Sequence, residues 1–161
     1  ENIAMFDLLT GLPNRNMLQF QLKKCLAGLE RHSGAISVLF LDLDDFKKIN
    51  DSKGHAAGDQ LLVEAASRLK ACIRSADMAS RFGGDEFVLA AADTTAEGLL
   101  HLAERVQQQF KQQMQQSGLE SSLSIGIAST VESALDQLLQ RADQALYKAK
   151  ELGRDRVELT Y

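Results

Sequence analysis

Met78-Ala79-Ser80-Arg81-Phe82-Gly83-Gly84-Asp85-Glu86-Phe87-Val88-Leu89-Ala90-Ala91-Ala92 is the stretch that decides the architecture. Residues 78–82 and 86–92 read as two short strands. The glycine pair between them signals a tight hairpin, because primed turns need positive φ. A hairpin forces antiparallel pairing. A purely parallel, doubly wound sheet is therefore excluded, although strands and helices otherwise alternate along the chain. The expected class is α+β: a central mixed, mainly antiparallel sheet with flanking helices.

Working outward, residues 35–43 are rich in Ile, Val, Leu and Phe and read as a buried strand. Before it, a turn around Pro13 starts a helix whose apolar stripe is Leu18, Leu22, Leu26 and Leu29. A second stripe follows at Leu62, Ala65, Ala66, Leu69, Cys72 and Ile73. Downstream, Thr94 with Glu97 fits a capping box that opens a helix facing the core through Leu99, Ala103, Val106, Phe110 and Met114. The glutamines of its other face read as solvated. Residues 121–128 read as a strand, Ser133 with Asp136 as another capping box, and residues 135–149 as the cleanest amphipathic helix. Residues 156–160 form a last strand.

The chain has 161 residues, 45% hydrophobic and 25% charged, which fits one globular domain over residues 1–161 and excludes a disordered or fibrous protein. Eighteen basic against 22 acidic residues leave a net charge of −4, so binding to nucleic acid by bulk charge loses weight. Cys25 and Cys72 fall on apolar helical faces and read as buried free thiols, which implies a cytoplasmic setting. No stretch approaches the ~20 apolar residues that span a bilayer, and residues 1–15 lack the basic region and apolar core of a secretory signal. The start at Glu1 reads as a domain excised from a longer, multidomain protein, which could itself be membrane-anchored.

Asp42, Asp44 and Asp45 stand at the end of the first buried strand, and alternation puts Asp42 and Asp44 on one face. Asp85 and Glu86 follow the glycine pair. If the two strands are neighbours, four carboxylates converge at one edge, and a cation is the natural remedy for their repulsion. All-oxygen donors point to Mg²⁺ or Mn²⁺. The alternative is a solvated acidic turn beside a plain hairpin. Lys47, Lys48, Lys150 and Arg154 could neutralise phosphates near such a metal or could be ordinary surface charge. Residues 49–59 read as a polar, glycine-bearing loop. Its Asn50, His55 and Asp59 suit a guanine edge, and a capped loop explains them almost as well.

These residues together resemble the GGDEF domain of diguanylate cyclases. Residues 81–87 (RFGGDEF) match the signature. DLLTGLPNR at 7–15, DLDDFKKIND at 42–51, GHAAGD at 54–59, SIGIA at 124–128 and ADQALYKAKELGRDR at 142–156 match the family's other motifs in order. The resemblance covers essentially the whole chain. It implies the ferredoxin-like palm of the nucleotidyl cyclases, and condensation of two GTP into cyclic di-GMP with release of two pyrophosphates. It also implies a homodimer with one GTP per protomer and a sensory or linker domain elsewhere in the full-length chain.

By position, Asp42, Asp85 and the carbonyl of Leu43 would ligate the metal, with Glu86 supporting a second ion, two per active site. Asp85 is also the candidate acceptor of the attacking hydroxyl's proton. Asn50 and Asp59 would hold the base, with His55 close by. Lys47, Lys150, Arg154 and the backbone near Asp45 and Phe46 would contact the phosphates. Arg74 and Asp77, an RxxD pair, would with Arg105 form a site at which the product inhibits; a local salt bridge explains the pair as well. Asp155 departs from the asparagine more usual in the GRNR motif. A non-catalytic module that senses GTP or binds cyclic di-GMP is the competing function.

Overall fold

The strand Ile36–Leu43 (β1) is buried along its whole length, which explains why its sequence runs apolar without alternation: both faces are covered. It sits at the centre of a five-stranded sheet. The computed structural model describes residues 4–29, 35–130 and 137–160. In chain order the elements are α1 (Arg15–Leu29), β1, α2 (Phe46–Lys53), α3 (His55–Cys72), β2 (Met78–Arg81) and β3 (Glu86–Ala92). They continue with α4 (Ala96–Gln116), β4 (Leu123–Ser129), α5 (Leu138–Glu151) and β5 (Val157–Leu159). The sheet order is β2-β3-β1-β4-β5. All neighbours are antiparallel except β4 and β5, which run parallel, so the sheet is mixed as expected.

The period of two in β1 separates two cores. Leu39, Leu41 and Leu43 face α3 and α4, joining Leu61, Leu69, Leu99, Val106 and Phe110. Val38 and Phe40 face α1 and α5, joining Leu18, Leu22, Ala142 and Leu146. At Gly126 the β4 backbone meets α5 so closely that a Cβ would stand 2.1 Å from the Leu146 nitrogen. The side chains of Leu26 and Leu29, and the Ser133–Asp136 capping box, lie outside the described residues.

Three local expectations need correction. The 82–85 connection is four residues long, and neither Gly83 nor Gly84 has positive φ, so it is no primed two-residue turn. Phe82 and Gly83 instead both donate to the carbonyl of Glu86, at 2.8 and 3.3 Å, making a wider loop. The cap of α4 is Thr95, whose hydroxyl accepts from Gly98 N at 3.1 Å, because Thr95 holds the extended backbone (φ −83°, ψ 169°) that an N-cap requires. Finally, residues 49–59 are largely helical: α2 ends at Lys53 and α3 starts at His55, broken only at Gly54 with φ 90°. Only Phe46 and Ile49 of α2 pack against the core, and neither is fully buried, so its apolar pattern is too short to read as a helix.

Candidate active site

Asp42 is the penultimate residue of the central strand, opposite Glu86 on β3 and Ser124 on β4. It is 4% exposed. Burial and the neighbouring Asp85 push its carboxyl up to about 7, against the opposing pull of Lys150. Lys150, from the last turn of α5, pairs with Asp42 Oδ2, while Oδ1 is buried without a hydrogen-bond partner. Burial pulls the Lys150 ammonium down, but Asp42 outweighs it and the net shift is upward. Leu43 N donates to the Asp85 carbonyl at 3.3 Å, tying the loop to the strand end. Burial, Asp143 and Asp85 together raise the Glu86 carboxyl.

An orphaned, buried carboxylate oxygen beside a second carboxylate is a donor set suited to a hard divalent cation. The expected quartet does not form, however. Among the described residues no three His, Cys, Asp or Glu side chains stand close enough to hold a metal together. Asp44 is engaged elsewhere: its carboxylate accepts from Ser122 Oγ and Ser124 Oγ, both at 2.6 Å, and from Asp155 N at 3.0 Å. Strand β1 ends at Leu43, so alternation no longer governs residue 44. Its role is to clamp the start of β4 and the loop after α5. Asp44→Ala is expected to cost about 3 kcal/mol in urea unfolding, since it strands buried donors. A metal ligand would instead lose metal affinity with stability unchanged.

The pH dependence of Asp42 has a definite sign. Between the ordinary carboxylate range and about 7, folded Asp42 holds a proton that the unfolded chain has lost. Native proton binding is the greater, so this group's contribution to stability falls as pH rises through that window. In chelating buffer, Asp42→Asn is expected to gain melting temperature over the unaltered chain from about pH 5 to about pH 8. A difference that ignores pH, or grows toward acid, contradicts it.

Beyond Asp44 the chain turns through Asp45 (φ 55°, ψ 32°), which offers no side-chain cap to α2. Among the described residues no side chain caps the amides opening α2 at Phe46 and Lys47. Phe46 packs its ring on the core, and Lys47 is exposed. Arg154 Nε reaches Asp45 Oδ1 at 3.8 Å, so the loop after α5 meets the start of α2. Farther along, Asn50 Oδ1 is buried and unpartnered. A Cβ on Gly58 would lie 1.7 Å from it, so glycine is what lets Asn50 lie against α3. His55 and Asp59 are exposed on the first turns of the same helix.

Two residues of this region carried no assigned role in the sequence. Arg81 Nη1 donates to Asp7 Oδ1 at 3.1 Å, and its Nε and Nη2 donate to the Gly84 carbonyl at 3.2 and 2.7 Å. Burial raises the Asp7 carboxyl, but Thr10 and Arg81 outweigh it and hold it below its usual value. The glycine loop is thus braced from the N-terminal turn. Both residues lie inside quoted motifs, but a pairing across 74 positions leaves no local signal.

Arg74, Asp77 and Arg105 gather elsewhere, where α3 ends. Arg74 Nη2 donates to Asp77 Oδ1 at 3.1 Å and to Thr94 Oγ1 at 2.9 Å, and Arg105 Nη2 donates to the Cys72 carbonyl at 3.2 Å. The local salt bridge is real, and the Arg74 side chain remains 60% exposed. Its hydrogen bond to Asp77 raises the guanidinium's pKa further.

Comparison with known proteins adds to this geometry. The profile of the family described as "Diguanylate cyclase, GGDEF domain" matches residues 4–156. Diguanylate cyclase DgcS of Shewanella oneidensis is 42% identical over 159 residues, covering 98% of this chain and 53% of that protein. The chain thus spans about half the length of that relative. The GGDEF domain of DgcB from Caulobacter crescentus, solved with c-di-GMP, superposes with a TM-score of 0.89 at 30% identity, covering 99% of this chain and 97% of that one. Diguanylate cyclase SiaD of Pseudomonas aeruginosa, solved with its activator SiaC, gives 0.89 at 34% identity, covering 98% and 62%. No described helix is long and apolar enough to cross a membrane.

Proposed function

The chain belongs to the GGDEF family of diguanylate cyclase domains, and from that premise we propose that it condenses two GTP into cyclic di-GMP, releasing two pyrophosphates. The observation that carries the reading is the buried Asp42 beside Asp85, with an orphaned oxygen on one side and Lys150 on the other. When bound there by Asp42, Asp85 and the Leu43 carbonyl, with Glu86 supporting a second ion, Mg²⁺ or Mn²⁺ would neutralise phosphate charge and favour in-line displacement.

The chain's own groups have distinct tasks in this reading. The α2 amides near Phe46, with Lys47, Lys150 and Arg154, take the triphosphate as charge-assisted donors. Asn50 and Asp59 take the guanine, the buried Asn50 Oδ1 accepting from its N–H edge, with His55 at the mouth. Asp85 accepts the proton of the attacking 3′-hydroxyl. One carboxylate pair serves one nucleotide, and the product contains two, so two copies meet about a twofold axis. Arg74, Asp77 and Arg105 form a separate site where product binds and inhibits, using exposed guanidinium forks suited to phosphates and guanine edges. The setting is the cytoplasm, and a sensory domain or activator controls the dimer.

The test is product identification by mass spectrometry after incubation with GTP and Mg²⁺. Cyclic di-GMP with two pyrophosphates per product is expected. Bound GTP without pyrophosphate release would instead make the chain a nucleotide sensor.

A further inference from the structure

A shallow, open depression of about 400 Å³ lies beside the Gly83-Gly84 loop, lined by Asp7, Asn14, Arg15, Asn16, Arg81 and Phe82 with the two glycines. Most of its polar groups are already engaged. Arg81 is spent on Asp7 and the Gly84 carbonyl. Asn14 donates to the Ala4 carbonyl and accepts from Met17 N.

Arg15 differs. Among the described residues its guanidinium has no ion pair and no hydrogen bond; it lies over the Phe82 ring, 4.3 Å from the centroid. Phe82 is itself fixed edge-on against Phe40 of β1, at 5.3 Å. The charge is therefore held beside the loop by its stack on Phe82, a ring that Phe40 fixes edge-on, while its donors stay unspent. At Gly84 nothing stands within 4 Å of where a Cβ would be, so the loop's outer surface is open.

We propose that Arg15 binds an anionic oxygen of the second nucleotide, the one presented by the partner copy, as it passes over the Gly83-Gly84 loop toward Asp42 and Asp85. This rests on the cyclase reading above. Arg15 acts on the same carboxylate, Glu86, as Lys150 does, but the proposed site gives the chain's own triphosphate other donors. Those donors are the start of α2, Lys150 and Arg154, none of which lines the depression. A nucleoside phosphate arriving over the loop meets Arg15 as a cation that has no ion pair or hydrogen bond among the described residues and whose charge otherwise acts on Glu86.

The first measurement compares the unaltered chain with Arg15→Ala and Arg15→Lys at protein concentrations that saturate the rate. Arg15→Ala is expected to lower cyclic di-GMP formation about tenfold or more, with affinity for a non-hydrolysable GTP analogue and melting temperature nearly unchanged and Arg15→Lys intermediate. An unchanged rate overturns the proposal, as does a rate loss matched by lost analogue affinity. A second measurement assigns the side. Traces of a chain with Asp85 intact are mixed with excess Asp85→Ala chain, and the linear dinucleotide made by the single working half-site is counted. Arg15→Ala in the trace chain should suppress it, whereas Arg15→Ala added to the excess chain should not; equal loss in both arrangements overturns the proposal. If the unaltered chain makes no cyclic di-GMP at all, the cyclase reading itself has failed.

Discussion

Asp85→Ala is expected to lower cyclic di-GMP formation about 10³-fold or more at saturating GTP and Mg²⁺, with the fold intact. Two roles coincide at this residue. In the proposed mechanism it ligates the cation with Asp42 and accepts the proton of the attacking hydroxyl. The structural consequence should be slight, because the loop is held by other groups: Arg81 on the Gly84 carbonyl, and the backbone bond from Leu43 N to the Asp85 carbonyl, which the substitution keeps. The check is a rate measured beside a melting curve. A loss of less than about tenfold would move the proton acceptor elsewhere.

Gly126→Ala is expected to destabilise the fold by about 3 kcal/mol or more, at the upper end of what overpacking costs. The added Cβ would stand 2.1 Å from Leu146 N, 2.3 Å from the Ala142 oxygen and 2.7 Å from the Ala145 carbonyl carbon. All three are backbone atoms of α5, so no side-chain rotamer relieves the clash, and helix and strand must separate. Because α5 carries Lys150 to Asp42, GTP turnover by the remaining folded protein should fall as well. Urea unfolding beside a rate measurement checks both parts. Unchanged stability would mean that α5 does not pack on β4 as closely as the structure has it.

The sheet was legible because its signals are local. The continuous apolar run of β1 and the two strands flanking the glycine pair each declare themselves within ten residues, and the observed β1 and β3 bounds differ from expectation by one residue at most. Helix α2 was not legible, since two core-facing residues, Phe46 and Ile49, make too short a pattern for an eight-residue helix. The glycines of the loop misled: their role is not positive φ. At Gly83 a Cβ would come within 2.4 Å of the Glu86 carboxylate, and Gly84 leaves open space.

The candidate site divides in the same way. That Asp42 and Asp85 come together was readable from strand-end position and the antiparallel pairing of their strands. Asp44 was indistinguishable from Asp42 in sequence, and its different task is set by Ser122, Ser124 and the Asp155 amide, brought in from elements 78 to 111 residues away. The Asp7–Arg81 brace and the Gly58–Asn50 contact are tertiary in the same sense. Such pairings follow from the topology, and no short window of sequence contains them.

In the proposed mechanism one chain supplies half of an active site for joining two nucleotides. The most direct test of this is the initial rate of cyclic di-GMP formation as a function of protein concentration, at fixed saturating GTP and Mg²⁺. While protein is scarce the rate should climb with about the square of its concentration, then become linear as the twofold assembly saturates. Strict proportionality at every dilution, from a chain that stays monomeric in solution, would contradict the account.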